Sequence, residues 1–331
     1  MRRMEKESAV AADVLPASRD LTGRDRVDHW KARWGMGRMR MSVTPGLYRL
    51  GQPDRQAPVF VTANYKLSFD ALRTNLASLD AWILVLDTKG VNVWCAAGKG
   101  TFGTEELVCR IRQTDLAAQI DGRRLILPQL GAPGVAAHVV KQATGFTVVW
   151  GPVEARDIPA FMHAGMKAAP AMRSKQFPIG DRIKVTPVEL VQAARPLTLI
   201  LLAVALMMLL SGRPFRVFDY LENISPILLS VVAGAFLTPL LLPWIPFRAF
   251  AAKGALVGGV CAALMGLALA RPLPATLGWV LLPTALASYL AMNFTGASTF
   301  SNPSGVRKEL RYAIPAQLVA ALAGLLLIVL L

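Results

Sequence analysis

The chain has 331 residues, of which 54% are hydrophobic, and its formal net charge is +15. Its mean hydropathy of +0.44 is too high for an ordinary soluble protein, so part of the chain is predicted to lie in a membrane. Nucleic-acid binding would explain the positive charge, but the sequence holds no aromatic and basic recognition module. Basic residues that flank membrane spans explain the charge more simply.

Residues 1–56 are predicted to form a basic, mostly irregular arm, because they are rich in Arg and Met. Three prolines interrupt this arm: Pro16, Pro45 and Pro53. His29, Trp30 and Trp34 lie among basic residues, which leaves two interpretations open. One is a short amphipathic helix at a membrane surface, and the other is a solvated tail with one packed helix.

Residues 57–170 are predicted to form an α/β domain, because strand-like apolar runs alternate with helix-like segments. The predicted strands are Val59–Ala63, Ala81–Leu86, Arg124–Leu127 and Phe146–Trp150. The predicted helices are Phe69–Leu79, a short helix that starts near Asn92, Thr104–Gln113 with Thr104 as its cap, Val135–Ala143 and Ile158–Met166. Such a sheet is mainly parallel, and its ligands bind beyond the carboxyl ends of the strands.

The run Asn92–Lys99, between the second predicted strand and the next long helix, carries the clearest functional signal. Asn92 is expected to cap a short helix by accepting a hydrogen bond from a backbone N–H two or three residues later. Cys95 then lies in the first turn, where the helix dipole favours a thiolate, which is a soft ligand for a transition metal. The next residues add little bulk and leave room for a broad, flat group: Ala96, Ala97 and Gly98.

The run Asn92–Lys99 also invites three other interpretations: a P-loop, a zinc site and a structural cysteine. A phosphate-binding P-loop needs a glycine five residues before the Gly98-Lys99 pair and Ser or Thr directly after it, and the sequence has Val93 and Gly100 there. A zinc site needs a second nearby ligand, and Cys109 is too distant for a Cys-x-x-Cys pair. A buried structural cysteine stays open, while the irregular spacing of the three cysteines excludes a disulfide framework and suits a reducing, cytoplasmic setting.

Small and polar residues also follow the other predicted strands, at the edge where Cys95 is expected. These residues are predicted to form a platform for a planar macrocycle, although ordinary turn chemistry would explain each loop by itself. They are Thr62 and Asn64 after the first strand, Gly131 and Pro133 after the third, and Gly151 and Pro152 after the fourth. His138 and His163 are expected to be packed or surface residues, because neither lies in an Asp-x-His-x-x-Gly motif.

Residues 171–194 are predicted to form a linker, since they contain Pro178, Gly180 and Pro187. Residues 195–331 are predicted to be an all-α transmembrane domain of about five helices, because a span needs about twenty apolar residues. The predicted spans are Pro196–Leu210, Ile224–Ile245, the Gly- and Ala-rich Ala249–Ala270, Ala275–Phe294 and Tyr312–Leu331. Cys261 in the third span is expected to be a small packing residue rather than a ligand for a soft metal.

Lysine and arginine in the predicted loops favour a cytoplasmic N-terminal domain and a location in the inner membrane. The loops on its side hold Arg248, Lys253, Arg307, Lys308 and Arg311, against Arg213, Arg216 and Arg271 on the other side. The polar loop Asn293–Asn302 would face the cytoplasm, either to dock a domain or partner or as a capped re-entry loop.

The run Asn-Val-Trp-Cys-Ala-Ala-Gly-Lys at residues 92–99 resembles the cap helix of the HgcA family, the corrinoid proteins of microbial mercury methylation. The resemblance extends through Gly100–Leu107, includes the run Val61–Asp70 and covers the chain from about Val59 to its end. A related corrinoid domain occurs in the large subunit of the corrinoid iron–sulfur protein, but the Trp94-Cys95 pair is more similar to the mercury family.

The resemblance implies a Rossmann-like corrinoid-binding domain with a cobalamin-type cofactor, in which Cys95 is the lower axial ligand of cobalt. The remaining residues of the motif are then expected to contact the corrin: Asn92, Val93, Trp94, Ala96, Ala97, Gly98 and Lys99. The implied activity is a methyltransferase reaction from methyl-cobalt to Hg(II), which gives methylmercury. The implied partners are a methyl-folate-linked donor and an HgcB-like ferredoxin with two [4Fe–4S] clusters.

Two other functions stay open on the sequence. The first is a corrinoid methyl carrier of one-carbon metabolism, of the acetyl-CoA pathway type, with an acceptor other than mercury. The second is a non-catalytic membrane sensor with a soluble domain. Cobalt ligation by Cys95 would serve the first of these as well as mercury methylation, so the ligand by itself does not separate those two.

Overall fold

The structure is a computed structural model that describes residues 14–76, 79–212, 214–269, 273–296 and 303–330. The chain divides into two compact units. An α/β unit contains the residues up to 32 and residues 36–176, and a helical unit contains residues 33–35 and the chain from 177. Part of the predicted arm (residues 1–13) and part of the predicted polar loop (residues 297–302) lie outside the described residues.

The α/β unit contains one mixed sheet of six strands in the spatial order β1-β2-β4-β3-β5-β6. The strands are Leu15–Ala17 (β1), Gly46–Leu50 (β2), Val59–Ala63 (β3), Ala81–Leu86 (β4), Arg124–Pro128 (β5) and Thr147–Gly151 (β6). Strands β4, β3, β5 and β6 are parallel, whereas β2 is antiparallel to β4. From β3 the chain continues to β4 on one side and then crosses to β5 on the other side of β3, so the topological switch point lies between β3 and β5. In such sheets, ligands bind at the switch point, beyond the carboxyl ends of the strands.

The predicted strands are found with small shifts, but the prediction of an irregular arm is wrong for its described part. Strands β3 and β4 have the predicted bounds, β5 extends to Pro128, and β6 runs one residue later than predicted. The arm supplies β1 and β2. Its prolines do not prevent this, because Pro16 lies in the edge strand β1 and Pro45 precedes β2, where no central ladder bond is lost.

Seven helices accompany these strands in the described part of the α/β unit. They are Gly23–Arg33 (α1), Lys66–Asn75 (α2), Val93–Lys99 (α3), Thr104–Gln113 (α4), Leu116–Gln119 (α5), Ala137–Thr144 (α6) and Ile158–His163 (α7). Helix α2 starts three residues before its predicted start. Helix α4 has its predicted bounds, but Gly103 is the capping residue, and the Thr104 hydroxyl instead accepts a hydrogen bond from the backbone N–H of Ala136 at 2.8 Å.

The two faces of the sheet are covered by different helices, because side chains alternate along each buried strand. Val61 and Leu84 lie on the face that packs against α3, α4 and α6. Phe60 and Ile83 lie on the opposite face, which packs against α2 and α7. Both faces are apolar and covered by helices, so a polar binding site is expected at the carboxyl edge of the sheet rather than on either face.

The helical unit consists mainly of long apolar helices. They are Ile179–Leu210 (α8), Val217–Val231 (α9), Thr238–Leu241 (α10), Phe250–Ala268 (α11), Leu273–Met292 (α12) and Pro303–Leu330 (α13), with a π-helical segment, Val232–Leu237, between α9 and α10. The predicted irregular linker is wrong from Ile179 onward, because α8 continues through Pro187 and Pro196. The contacts of Arg182, which donates to the carbonyl of Leu240 at 2.6 Å, stabilise the first part of α8 as a helix.

Four described helices are long and apolar enough to cross a membrane: Ile179–Leu210, Val217–Leu241, Phe250–Ala268 and Gly305–Ile328. The fourth predicted span, Ala275–Phe294, contributes a shorter apolar stretch, Thr276–Met292. The close packing predicted for the Gly-rich span is confirmed, because Cβ atoms on Gly254 and Gly258 would lie 2.5 and 2.4 Å from the Cβ atoms of α12 alanines. Cys261 packs against the same apolar cluster, as expected of a packing residue.

Candidate functional site at the carboxyl edge of the sheet

Helix α3 begins where the sequence predicts, directly after the turn that follows β4. The Asn92 side chain accepts a hydrogen bond from the backbone N–H of Cys95 at 2.9 Å, which confirms Asn92 as the cap. The bond joins the cap to the residue that carries the sulfur. Cys95 is a free cysteine of intermediate exposure, in the first turn of the helix.

Helix α3 has one face toward the core and one face away from it. Val93, Ala96 and Ala97 are buried in the cluster under the helix. Trp94 and Cys95 are partly exposed, and Gly98 and Lys99 are exposed. A Cβ atom on Gly98 would have no protein atom within 4 Å, so the surface one helical turn beyond Cys95 is open. The two alanines predicted to flank a cofactor instead pack inward, and Gly98 alone gives the bare surface beside the sulfur.

The turn between β4 and α3 is built around the buried side chain of Asn64, which follows β3. Asn64 Oδ1 accepts hydrogen bonds from the backbone N–H groups of Thr88 (3.1 Å) and Gly90 (3.0 Å), and Asn64 Nδ2 donates to Asp87 at 3.3 Å. The side chain is 5% exposed. Asn64 therefore uses its polar atoms within the protein, and the predicted direct contact with a cofactor does not fit this geometry.

Glu106 of α4 holds the other side of this turn. Its carboxylate accepts from the backbone N–H of Asp87 at 2.8 Å and forms an ion pair with Arg110 at 2.7 Å. A hydrogen bond from Lys89 holds the pKa of the Asp87 carboxyl below its ordinary value, although partial burial acts in the opposite direction. An ionised Asp87 is the stronger acceptor for the Asn64 amide.

The loop after β5, residues Gln129–Gly134, packs against the far end of α3 and encloses the Phe102 ring. A Cβ atom on Gly131 would lie 2.5 Å from Phe102 Cε1, and one on Gly134 would lie 2.1 Å from Phe102 O and 3.1 Å from Ala97 Cα. These glycines allow close packing within the protein, which the predicted open platform did not include. Phe102, fully buried, was not predicted from the sequence.

Three further predicted edge residues, Gly151, Pro152 and Thr62, are buried as well. Gly151 ends β6, where an added Cβ would lie 3.1 Å from Ile126 Cγ2, and Pro152 after it is buried. Thr62 is 4% exposed and, one residue before Ala63 on β3, lies on the sheet face opposite α3. Of the residues predicted to bind the cofactor, six retain surface exposure: Asn92, Trp94, Cys95, Gly98, Lys99 and Pro133.

The other potential metal ligands of this unit lie away from α3. His138 and His163 are exposed, in agreement with the expectation of surface residues, and Cys109 is an exposed cysteine on α4. The third histidine, His29, forms a hydrogen bond with Asp70, with 2.7 Å between Nε2 and Oδ2. Among the described residues of this unit, Cys95 is thus the soft side chain at the carboxyl edge of the sheet, on a helix whose start is capped.

Comparison with known proteins relates this part of the chain to corrinoid proteins. Residues 35–162 match the family described as CdhD, the CO dehydrogenase/acetyl-CoA synthase delta subunit. The chain is 30% identical to the acetyl-CoA decarbonylase/synthase complex subunit gamma of Methanopyrus kandleri over 173 residues. This aligned region covers 49% of this chain and 37% of that protein. Over 126 residues it is 30% identical to the corrinoid/iron-sulfur protein large subunit of Moorella thermoacetica, which covers 38% of this chain and 28% of that protein.

These matches support the predicted class of cofactor, a corrinoid. The family match, residues 35–162, includes the whole of α3 and its flanking turns. The chain spans about a third of the length of the relatives it matches. Neither relative is named for mercury methylation, so the similarity of Asn92–Lys99 to the HgcA family stays a prediction.

Proposed function

We propose that the chain is a membrane-bound, corrinoid-dependent methyl-transfer protein in which the Cys95 thiolate is the lower axial ligand of cobalt. The observation that carries this proposal is the position of Cys95. It lies partly exposed on the outward face of a capped helix, at the carboxyl edge of the sheet, within the segment related to corrinoid proteins. A thiolate is a soft ligand that suits a transition metal.

The shape of the outward face of α3 fits a flat macrocycle. Gly98 lies three residues beyond Cys95 on the same face, and a Cβ there would meet no protein atom within 4 Å. On the inner side of α3, Phe102 and the glycines of the Gln129–Gly134 loop are tightly packed, so the helix rests on a well-packed part of the protein. When bound, the corrinoid would supply a cobalt centre that carries a methyl group and gives it to an acceptor.

The proposed acceptor is Hg(II), as the resemblance to the HgcA family implies. Hg(II) is an electrophile, so the methyl group would formally be transferred as a carbanion or as a radical. Cys95 would hold the cobalt through its sulfur, and a thiolate donates electron density more strongly than an imidazole, which would favour transfer of the methyl group. Asn92 assists by fixing the start of α3 and with it the direction of the Cys95 side chain.

The proposed partners follow from the same resemblance: a methyl-folate-linked donor and an HgcB-like ferredoxin with two [4Fe–4S] clusters. The chain has three cysteines, too few to hold two such clusters itself. We further propose an inner-membrane location with the α/β unit in the cytoplasm. The four apolar helices and the lysine and arginine bias of the predicted loops support this location.

A second candidate is a corrinoid methyl carrier of one-carbon metabolism with an acceptor other than mercury. The names of the relatives favour it, because both of those described above belong to acetyl-CoA decarbonylase/synthase or corrinoid/iron–sulfur systems. Their matches cover at most about half of this chain, however, so the acceptor cannot be carried over from them.

Methylmercury formation by membranes that contain the full chain tests the proposal and separates the two candidates. We expect the wild-type chain, supplied with methylcobalamin as the source of the methyl group and with Hg(II), to form methylmercury and Cys95→Ala to fall to background. Cys109→Ala, which removes an exposed cysteine of the same unit, should keep wild-type activity. A wild-type chain that binds corrinoid but leaves Hg(II) unmethylated would favour the one-carbon carrier. Full activity of Cys95→Ala would contradict the assigned ligand.

A further inference from the structure

The buried side chain of Asn64 is joined to the cysteine helix through a short, strained turn. Two consecutive residues of the turn, Lys89 (φ 58°) and Gly90 (φ 71°), adopt the left-handed backbone conformation. Glycine tolerates this conformation, but lysine does so at a cost in free energy. The turn therefore needs contacts from the surrounding structure to keep its shape.

Asn64 supplies such contacts on both sides of Lys89. Its Oδ1 has two lone pairs and accepts the backbone N–H groups of Thr88 and Gly90, which flank Lys89. Its Nδ2 donates to Asp87, whose carboxylate also accepts from the backbone N–H of Lys89 at 3.1 Å. One side chain thus fixes four consecutive residues of the turn, directly or through Asp87.

The fixed turn continues directly into α3. The hydroxyl of Thr88 lies 2.8 Å from Asn64 Oδ1 and 2.6 Å from the carbonyl oxygen of Val91, the residue before the cap. Asn92 follows and caps the N–H of Cys95. The path from Asn64 to the sulfur-bearing residue is therefore continuous: Asn64, Thr88, Val91, Asn92, Cys95.

We propose that Asn64 is a positioning residue, which sets the place of the Cys95 sulfur by holding the turn Asp87–Gly90 and does not itself touch the cofactor. The effect on cobalt ligation rests on the proposed function. The effect of Asn64 on the position of Cys95 does not depend on it. Small displacements of a ligand or catalytic group have large effects, so loss of Asn64 should reduce ligation by Cys95 while the corrinoid still binds.

Hydrogen–deuterium exchange on the cofactor-free full chain tests the geometric part. Asn64→Ala should accelerate exchange of the Thr88, Gly90 and Cys95 amides by about tenfold or more, because the first two lose their acceptor and the third depends on the turn. Exchange in β5 and α6 should stay at the wild-type rate. Thr114→Val, which removes another buried hydroxyl of the same unit, should leave the Cys95 amide unchanged.

The cobalamin-loaded full chain supplies the second readout. Asn64→Ala should retain bound corrinoid but lose most of the cobalt–thiolate absorption. Thr88→Val keeps Asn64 and its bonds to the backbone of the turn but removes the hydroxyl contacts with Asn64 Oδ1 and the Val91 carbonyl. It should change both readouts in the same direction and by less. This milder variant keeps the test informative if Asn64→Ala does not fold.

Two results would overturn the inference. One is accelerated exchange at Thr88 and Gly90 with an unchanged Cys95 amide, which would mean that the turn does not position the helix. The other is loss of bound corrinoid from Asn64→Ala with normal exchange at Cys95, which would indicate direct binding. A wild-type chain without a thiolate spectrum would contradict the proposed function, and the exchange result would still decide the role of Asn64.

Discussion

The two faces of the sheet hold polar groups in opposite ways. On the α2 face, Asp70 is 1% exposed, forms ion pairs with Arg73 and Lys66, and forms a hydrogen bond with His29. On the α3 face, Cys95 is left partly exposed on a capped helix with open space beside it. Charges that are buried and paired with one another serve folding, whereas a polarisable ligand left accessible is available for function.

The largest expected effect on stability comes from breaking the ion network. Asp70→Asn keeps the shape of the side chain but removes one of the two carboxylates that pair with Arg73 and Lys66, so that both cations share Asp25 in a largely buried site. We expect the free energy of unfolding of the α/β unit to fall by about 3 kcal/mol or more. A urea titration of the full chain, followed by amide exchange in β3 and β4, measures this.

The matched control is Asp121→Asn, which breaks the exposed ion pair with Arg55, where both side chains are more than half exposed. It should cost less than about 1 kcal/mol. Equal losses in the two variants would mean that the Asp70 network does not stabilise the α2 face. The cobalt–thiolate spectrum of Asp70→Asn should be unchanged wherever the unit is folded.

A smaller effect on stability is expected from alanine substitutions at two glycines, Gly134 on the packed side of α3 and Gly98 on its exposed side. Gly134→Ala would place a Cβ 2.1 Å from Phe102 O, and both neighbours there are backbone, so we expect a loss of about 1–3 kcal/mol. Gly98→Ala meets open space and should stabilise α3 by up to about 1 kcal/mol. Yet it should weaken cobalamin binding. Unchanged cobalamin affinity in Gly98→Ala would argue against this surface as the cofactor site.

The cap of α3 has an expected effect of about 1 kcal/mol. Asn92→Ala removes the acceptor for the Cys95 N–H and should lower stability by about that amount. Asn92→Asp keeps an acceptor at the same place and should recover most of the loss. Thermal unfolding of the α/β unit in the full chain distinguishes them, and an equal fall in both variants would show that the cap bond contributes little.

The smallest expected effect concerns pH and again belongs to the α2 face. Burial acts to raise the pKa of Asp25, but hydrogen bonds from Lys66 and Thr22 outweigh it and lower the pKa below its ordinary value of 3.8. The carboxylate therefore stabilises the fold above about pH 4, and that contribution is lost as pH falls further. In a plot of the free energy of unfolding against pH, Asp25→Asn should therefore reduce the fall in stability below about pH 4. An unchanged fall would contradict the stabilising role assigned to the Asp25 carboxylate.

Local signals allowed the sequence to predict the parts of the site that depend on neighbouring residues. The apolar runs of β3 and β4 and the cap at Asn92 are of this kind, and the structure has them at the predicted positions. The burial of Gly131 was not predictable in this way. It depends on Phe102, which lies twenty-nine positions earlier in the chain and reaches the loop only in the folded unit.

Prolines gave the least reliable signals. Pro16 and Pro45 favoured an irregular arm, but the first lies in an edge strand and the second before a strand, where proline costs little. Pro187 favoured a linker, yet α8 continues through it, supported by the contacts of Arg182 with the carbonyls of Phe177 and Leu240. Tertiary contacts decided these segments, and a local pattern does not contain them.

The most direct test of the account is the absorption spectrum of the full chain reconstituted with cobalamin, recorded for the wild type and for Cys95→Ala. The account predicts a cobalt–thiolate spectrum for the wild type that is absent from Cys95→Ala and present in Cys109→Ala. Identical spectra for the wild type and Cys95→Ala would contradict the central claim, because Cys95 would then not be the ligand of cobalt.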